Sequence, residues 1–154
     1  METTYKSEVE WVKLMVIKDG GRPAFNRYRI TSSKDICGLQ RQIAGYFDCL
    51  DREEFVIIGL DGKNRTIFFH SVSVGCLTSS IVHPREVFKM AILGNAASLI
   101  LCHNHTSGDP TPSLKDIDIT KRLTAAGELL GIKIMDHVIF GDDTYLSFVD
   151  KGLL

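Results

Sequence analysis

The chain has 154 residues, 44% hydrophobic and 24% charged, with a formal net charge of −1 from 18 Lys plus Arg against 19 Asp plus Glu. That length and balance describe one soluble globular domain able to bury its own core, and they exclude disordered, collagenous and coiled-coil chains. The even charge also argues against a dedicated nucleic-acid binder, which needs a basic excess to neutralise phosphates.

Cys37, Cys49, Cys76 and Cys102 form no CxxC pair, so they read as reduced thiols rather than a zinc ribbon or a redox motif. The N-terminal stretch Met1 to Glu8 is polar and acidic, without the apolar run of a signal peptide behind it. Runs such as Ala96 to Cys102 are too short to span a membrane, so the expected location is the cytoplasm. No repeat or linker divides the chain. Residues 1–29 read as a strand-bearing extension packed on one domain that covers residues 30–154.

In chain order, Trp11 to Ile17 reads as a short strand ending at the turn Asp19-Gly20-Gly21. Ile36, Leu39, Ile43 and Phe47 recur at the spacing of one helical face, with Thr31-Ser32-Ser33 available as cap. The run Phe55 to Leu60 is apolar on both faces and predicts a central strand. Asp61-Gly62 then predicts a hairpin to Arg65–Val74. Pro84 suits the first turn of a helix burying Val87, Phe88, Ala91 and Ile92. A second buried strand is expected from Ala97 to His103. Pro112-Ser113 opens a helix with Ile119, Leu123, Ala126 and Leu130 on one face, ended by Gly131. Ile132 to Phe140 and Thr144 to Phe148 close the chain as a hairpin across Gly141-Asp142-Asp143. Alternating strands and helices predict an α/β or α+β fold, a mixed sheet with helices packed against it.

The chemistry concentrates in Cys102 to Asp116. His103 and His105 stand two apart at a strand end, so both imidazoles lie on one face and can reach one ion. Asp116 falls in the first turn of the next helix, and the Gly/Pro-rich loop between can fold that helix start over the strand end. Two His and one Asp leave a fourth tetrahedral position open, the pattern of a catalytic zinc site. Each residue alone has an ordinary reading: a hydrogen-bonded strand-end His, or a helix cap formed by Ser113 with Asp116. Jointly, His-x-His, seven residues, Ser, two residues and Asp is a pattern that a short chain seldom carries by chance.

That pattern is the motif of the JAB/JAMM (MPN) metalloproteases. The run His103 to Ser113 resembles the RadC branch, as do Val82-His83-Pro84-Arg85-Glu86-Val87-Phe88, Asn95-Ala96-Ala97, Leu130-Gly131-Ile132, Asp136-His137 and Ser147-Phe148. The resemblance covers about residues 30 to 154 and implies a JAB/MPN metalloprotease-like (cytidine-deaminase-like) architecture. Thr106 stands where the family usually has Pro, which bears on loop rigidity and not on the ligands. The helix-hairpin-helix region of full-length RadC proteins has no room here, so a short, free-standing form is expected.

The resemblance also implies a glutamate upstream, as proton acceptor. Glu53 and Glu54 are the candidates, and adjacent strand residues face opposite ways. RadC-like sequences favour Glu-x-Phe, which selects Glu53 and leaves Glu54 as a solvated charge. The implied mechanism is hydrolysis of a peptide or isopeptide amide. Zn²⁺ on His103, His105 and Asp116 lowers the pKa of its water, Glu53 takes the proton, and Ser113 donates to the oxyanion.

Asp136-His137 reads as a core or hydrogen-bonded pair, with support of the site or substrate as the alternative. His70 and His83 read as surface or loop residues. Cys102 and Asn104 face away from the ion, and Asp109 braces the loop. A protein or peptide substrate is the expected partner, with no membrane. The competing reading is a DNA-repair-associated module acting without proteolysis, which the charge does not favour; a ligand-less scaffold fits least, since every ligand is present.

Overall fold

A computed structural model describes residues 28–32, 35, 47, 50–75 and 82–154. The expected strand at Trp11–Ile17, most of the expected helix ending at Phe47, and Cys37, Cys49 and Cys76 lie outside the described residues. The elements are β1 (Glu54–Leu60), β2 (Thr66–Val74), α1 (Pro84–Leu93), β3 (Ser98–Asn104), α2 (Leu114–Leu130), β4 (Lys133–Phe140) and β5 (Tyr145–Ser147). They build an α+β fold on a mixed five-stranded sheet of order β2-β1-β3-β4-β5. Among the described residues only β3 and β4 run parallel, joined by the crossover through α2. This matches the expected class.

Strands β1 and β3 are the apolar runs read from the sequence, and every residue of both is buried. Alternation sorts their side chains onto two faces. One face gathers Val56, Ile58, Leu60, Ile100, Cys102, Val138 and Phe140 with Ile30 and Phe47. The other gathers Phe55, Ile57, Leu99, Leu101 and Ile134 with Val87, Phe88 and Ala91 of α1 and Leu123 of α2. Cys102 thus lies in the core, as expected, and burial pushes its thiol pKa up.

A register shift between Leu99 and Ile100 pairs Leu99 with Ile134 but Ile100 with Asp136, so Met135 is extra in β4. Such a bulge reverses the alternation beyond it. Ile134 faces the helices, and after the bulge so does His137, opposite Leu101.

Pro84 occupies the first turn of α1, and the His83 side chain caps it by accepting from the Arg85 amide. Val87, Phe88 and Ala91 are buried as expected, but Ile92 is 55% exposed. On α2 the buried stripe is Thr120, Leu123 and Gly127, while Ile119 and Ala126 pack at its margin and Leu130 is 47% exposed. The helix ends on Gly131 in the left-handed conformation, and the Ile132 amide donates back to the Gly127 carbonyl. A Cβ on Gly127 would strike the Ile132 carbonyl oxygen, so this close backbone approach requires glycine there.

The β1–β2 hairpin forms where Asp61-Gly62 predicts it, with a wider loop. The positive φ falls on Asn64, and the Asp61 carboxylate accepts from the Lys63 and Arg65 amides and the Arg65 guanidinium. The Arg65 amide, then the Lys63 amide and the Arg65 side chain, lower the Asp61 pKa from 3.8 to about 2 against its partial desolvation. A depressed carboxylate stabilises the fold above its unfolded-state pKa and loses that contribution as pH falls through the folded value. Asp61→Ala should therefore melt below wild type at neutral pH, and the gap should close as pH falls from 3.8 to about 2. Thermal melts of both proteins across that range check this.

Candidate metal centre

The site lies where β3 ends and α2 begins. Phe55 pairs with His103 across β1 and β3, and their rings stack at 5.9 Å with 16° between planes. His103 thus faces the helices and Asn104 faces away, as expected. Beyond Asn104 the chain turns into a pinned loop. The His105 amide donates to the Phe140 carbonyl at 2.9 Å, and the Asp142 amide donates to the Gly108 carbonyl at 3.2 Å. Asp109 braces the loop as expected, taking the Thr111 amide at 2.9 Å and its hydroxyl at 2.7 Å. These bonds hold the loop where Thr106 replaces the usual proline.

Ser113 caps α2, and a reciprocal capping box forms with Asp116. The Asp116 amide donates to Ser113 Oγ at 3.2 Å, while Asp116 Oδ2 accepts from the Ser113 amide at 2.7 Å and its hydroxyl at 2.6 Å. One carboxylate thus both caps the helix and faces the two imidazoles. It stands 3.3 Å from His103 Nε2 and 3.5 Å from His105 Nε2, and the two Nε2 atoms are 3.0 Å apart. The ligand atoms of His103, His105 and Asp116 all lie within 4.8 Å of one another.

Charge agrees with this focus. Burial works to raise the Asp116 pKa, but its polar contacts with His103, His105 and Ser113 outweigh it and hold the carboxyl well below the usual range. The hydrogen bond to Asp116 raises the His105 pKa against its desolvation, and the Glu53 charge adds to the rise. His105 Nδ1 lies 2.8 Å from the Asp109 carbonyl, which can only accept, so Nδ1 carries the proton and neutral His105 leaves Nε2 bare.

Glu53 is half-buried, lies two residues before Phe55 at the entrance to β1, and is near enough for its charge to act on His105. Glu54 faces the other way from Phe55 and is not the solvated charge expected from the sequence: it is 3% exposed, because β1 is covered on both faces. The Asn104 side chain straddles Glu53. Its Oδ1 accepts from the Glu54 amide at 2.8 Å and its Nδ2 donates to the Arg52 carbonyl at 3.2 Å. The Glu53 carbonyl accepts from the Gly75 amide at 2.8 Å.

Asp136 and His137 are both buried and hydrogen-bonded, but they face opposite ways. Asp136 accepts from the His137 and Val149 amides and the Ser147 hydroxyl, tying β4 to the C-terminal turn. His137 reaches the site, with Nε2 at 2.8 Å from His103 Nδ1 and Nδ1 at 2.6 Å from Thr120 Oγ1. Burial, then the charge of His103, holds its pKa well below the ordinary value. Sequence reasoning missed Thr120, since a threonine inside a helix carries no motif signal. Contrary to the surface reading, His70 lies half-buried in β2.

A His–His–Asp group at the end of an interior strand of a mixed sheet, beneath a helix start, is the arrangement of a JAB-type domain. Residues 30–153 match the family described as RadC-like JAB domain. The chain is 49% identical over 132 residues to a UPF0758 protein of Desulforamulus reducens, covering 86% of this chain and 57% of that one. A UPF0758 protein of Pelobacter propionicus is 52% identical over 139 residues, covering 87% and 57%. One of Geotalea uraniireducens is 57% identical over 103 residues, covering 67% and 45%. The chain belongs to the RadC-like JAB domain family, and it spans about half the length of these curated relatives. Among the described residues, no helix is long and apolar enough to cross a membrane.

Removing the Asn104 side chain strands a buried amide and a carbonyl beside Glu53. Asn104→Ala should lose about 2 kcal/mol of stability, measured by urea unfolding.

Proposed function

We propose that this domain is a zinc-dependent hydrolase of peptide or isopeptide amide bonds. The observation that supports it is the convergence of two imidazole Nε2 atoms and a carboxylate, with the Glu53 charge acting on His105. A nitrogen and oxygen donor set of three fits zinc with one position left for chemistry. When bound, the ion supplies Lewis acidity, lowering the pKa of a water towards neutrality.

The protein's own groups do the rest. Glu53 accepts the proton from the attacking water and delivers it to the leaving amine nitrogen as the C–N bond breaks. Ser113, whose hydroxyl here donates to Asp116, turns that proton to the oxyanion while its oxygen still accepts the Asp116 amide. The cytoplasm is the proposed location.

The DNA-metabolism alternative has one feature in its favour, a cavity of about 350 Å³ lined by Arg29, Lys63 and Arg65. It lies at the far end of β1, about 20 Å from the strand end that bears the site. The Arg65 guanidinium there is already paired with Asp61 at 2.8 Å.

Hydrolysis of a peptide and isopeptide library tests the assignment. Activity should vanish with a chelator, return with zinc, and fall by at least about 100-fold in Glu53→Gln with zinc still bound. No metal-dependent cleavage, together with a salt-sensitive shift of a DNA duplex, would move the assignment to the alternative.

A further inference from the structure

We infer that Thr120 and His137 act as positioning residues that set the tautomer of His103 and so keep its Nε2 bare. The argument starts at a backbone carbonyl. Thr120 Oγ1 stands 2.5 Å from the Asp116 carbonyl oxygen, one helical turn back. A carbonyl has no proton to give, and two oxygens that close repel unless a proton lies between them. The Thr120 hydroxyl therefore spends its one proton there, as helical threonines do. Towards His137 Nδ1, at 2.6 Å, it presents only a lone pair, so His137 is the donor from Nδ1.

A neutral imidazole has one N–H, so His137 Nε2 is bare and must accept. Its partner is His103 Nδ1 at 2.8 Å, which therefore carries the His103 proton. His103 Nε2 is left as a lone pair aimed at the position it shares with His105 Nε2 and Asp116. The direction of the whole chain is decided by an atom that can only accept.

The surroundings fix the ring in place. His137 is 0% exposed, stacked on Phe148 at 4.7 Å and met edge-on by Phe55 at 5.6 Å, so its ring is held between aromatic neighbours. The bulge in β4 places it on this face. The relay also closes a loop between two candidate ligands, because it begins at the backbone of Asp116 and ends at the ring of His103. His105 is set separately, by the Asp109 carbonyl.

The tautomer is a property of the metal-free protein; its effect on metal affinity rests on the zinc reading above. Nitrogen-15 NMR of the full chain, freed of metal and at a pH where the rings are neutral, reads which nitrogen of each imidazole is protonated. Wild type should show Nδ1–H on His103, His105 and His137. Thr120→Val keeps the side-chain shape without the hydroxyl. It should shift His137 and His103 towards Nε2–H, leave His105 unchanged, and weaken zinc binding about 10- to 100-fold in a chelator competition. Thr120→Ser should restore both readouts. Nε2–H on wild-type His103, or tautomers unmoved in Thr120→Val, overturns the relay. A shifted tautomer with unchanged zinc affinity overturns its coupling to the metal. Wild type with the expected tautomers that takes up no zinc leaves the relay standing and overturns the zinc reading instead.

Discussion

Strand β3 runs through the interior of the sheet, and its two-residue period divides His103-Asn104-His105 between two faces. The rest of the site depends on that division. His103 faces the helices, where Phe55, His137 and Asp116 meet it. Asn104 faces away and spends its amide on the backbone on either side of Glu53. His105 lies past the strand end, where the turning loop brings it back to its neighbour. Sliding β3 by one residue would exchange the faces and dismantle the ligand set and the support of Glu53 together.

Asp116 joins folding to chemistry. Its carboxylate is the N3 partner of a capping box, so it compensates orphan amides at the start of α2. The same oxygens face two imidazoles. Capping thus fixes the carboxylate before any ion arrives, which reduces the ordering that metal binding would otherwise require. The cost is a half-buried focus of lone pairs, which a cation relieves.

Much of this was legible in the sequence because it rests on local periodicity and fixed spacing. The apolar runs gave β1 and β3, Pro84 opened α1, Ser113 capped α2, and the His-x-His to Asp116 spacing marked the three side chains that converge. What was not legible depends on contacts distant in sequence. The bulge at Met135 follows from pairing with β3 and reverses the face of His137. Glu54 looks like a surface charge until β1 is covered on both faces. Leu130 fits the apolar stripe of α2 but lies at the helix end, 47% exposed. Thr120 belongs to no motif, and only its distances to Asp116 and His137 disclose it.

The central claim is that His103, His105 and Asp116 hold one metal ion. Elemental mass spectrometry of untagged protein, beside His103→Ala and Asp116→Ala, tests it most directly. The account predicts about one zinc per chain in wild type and none in either variant, since each removes one of only three protein ligands. Well-folded wild type that holds no zinc, even after zinc is supplied, would contradict it.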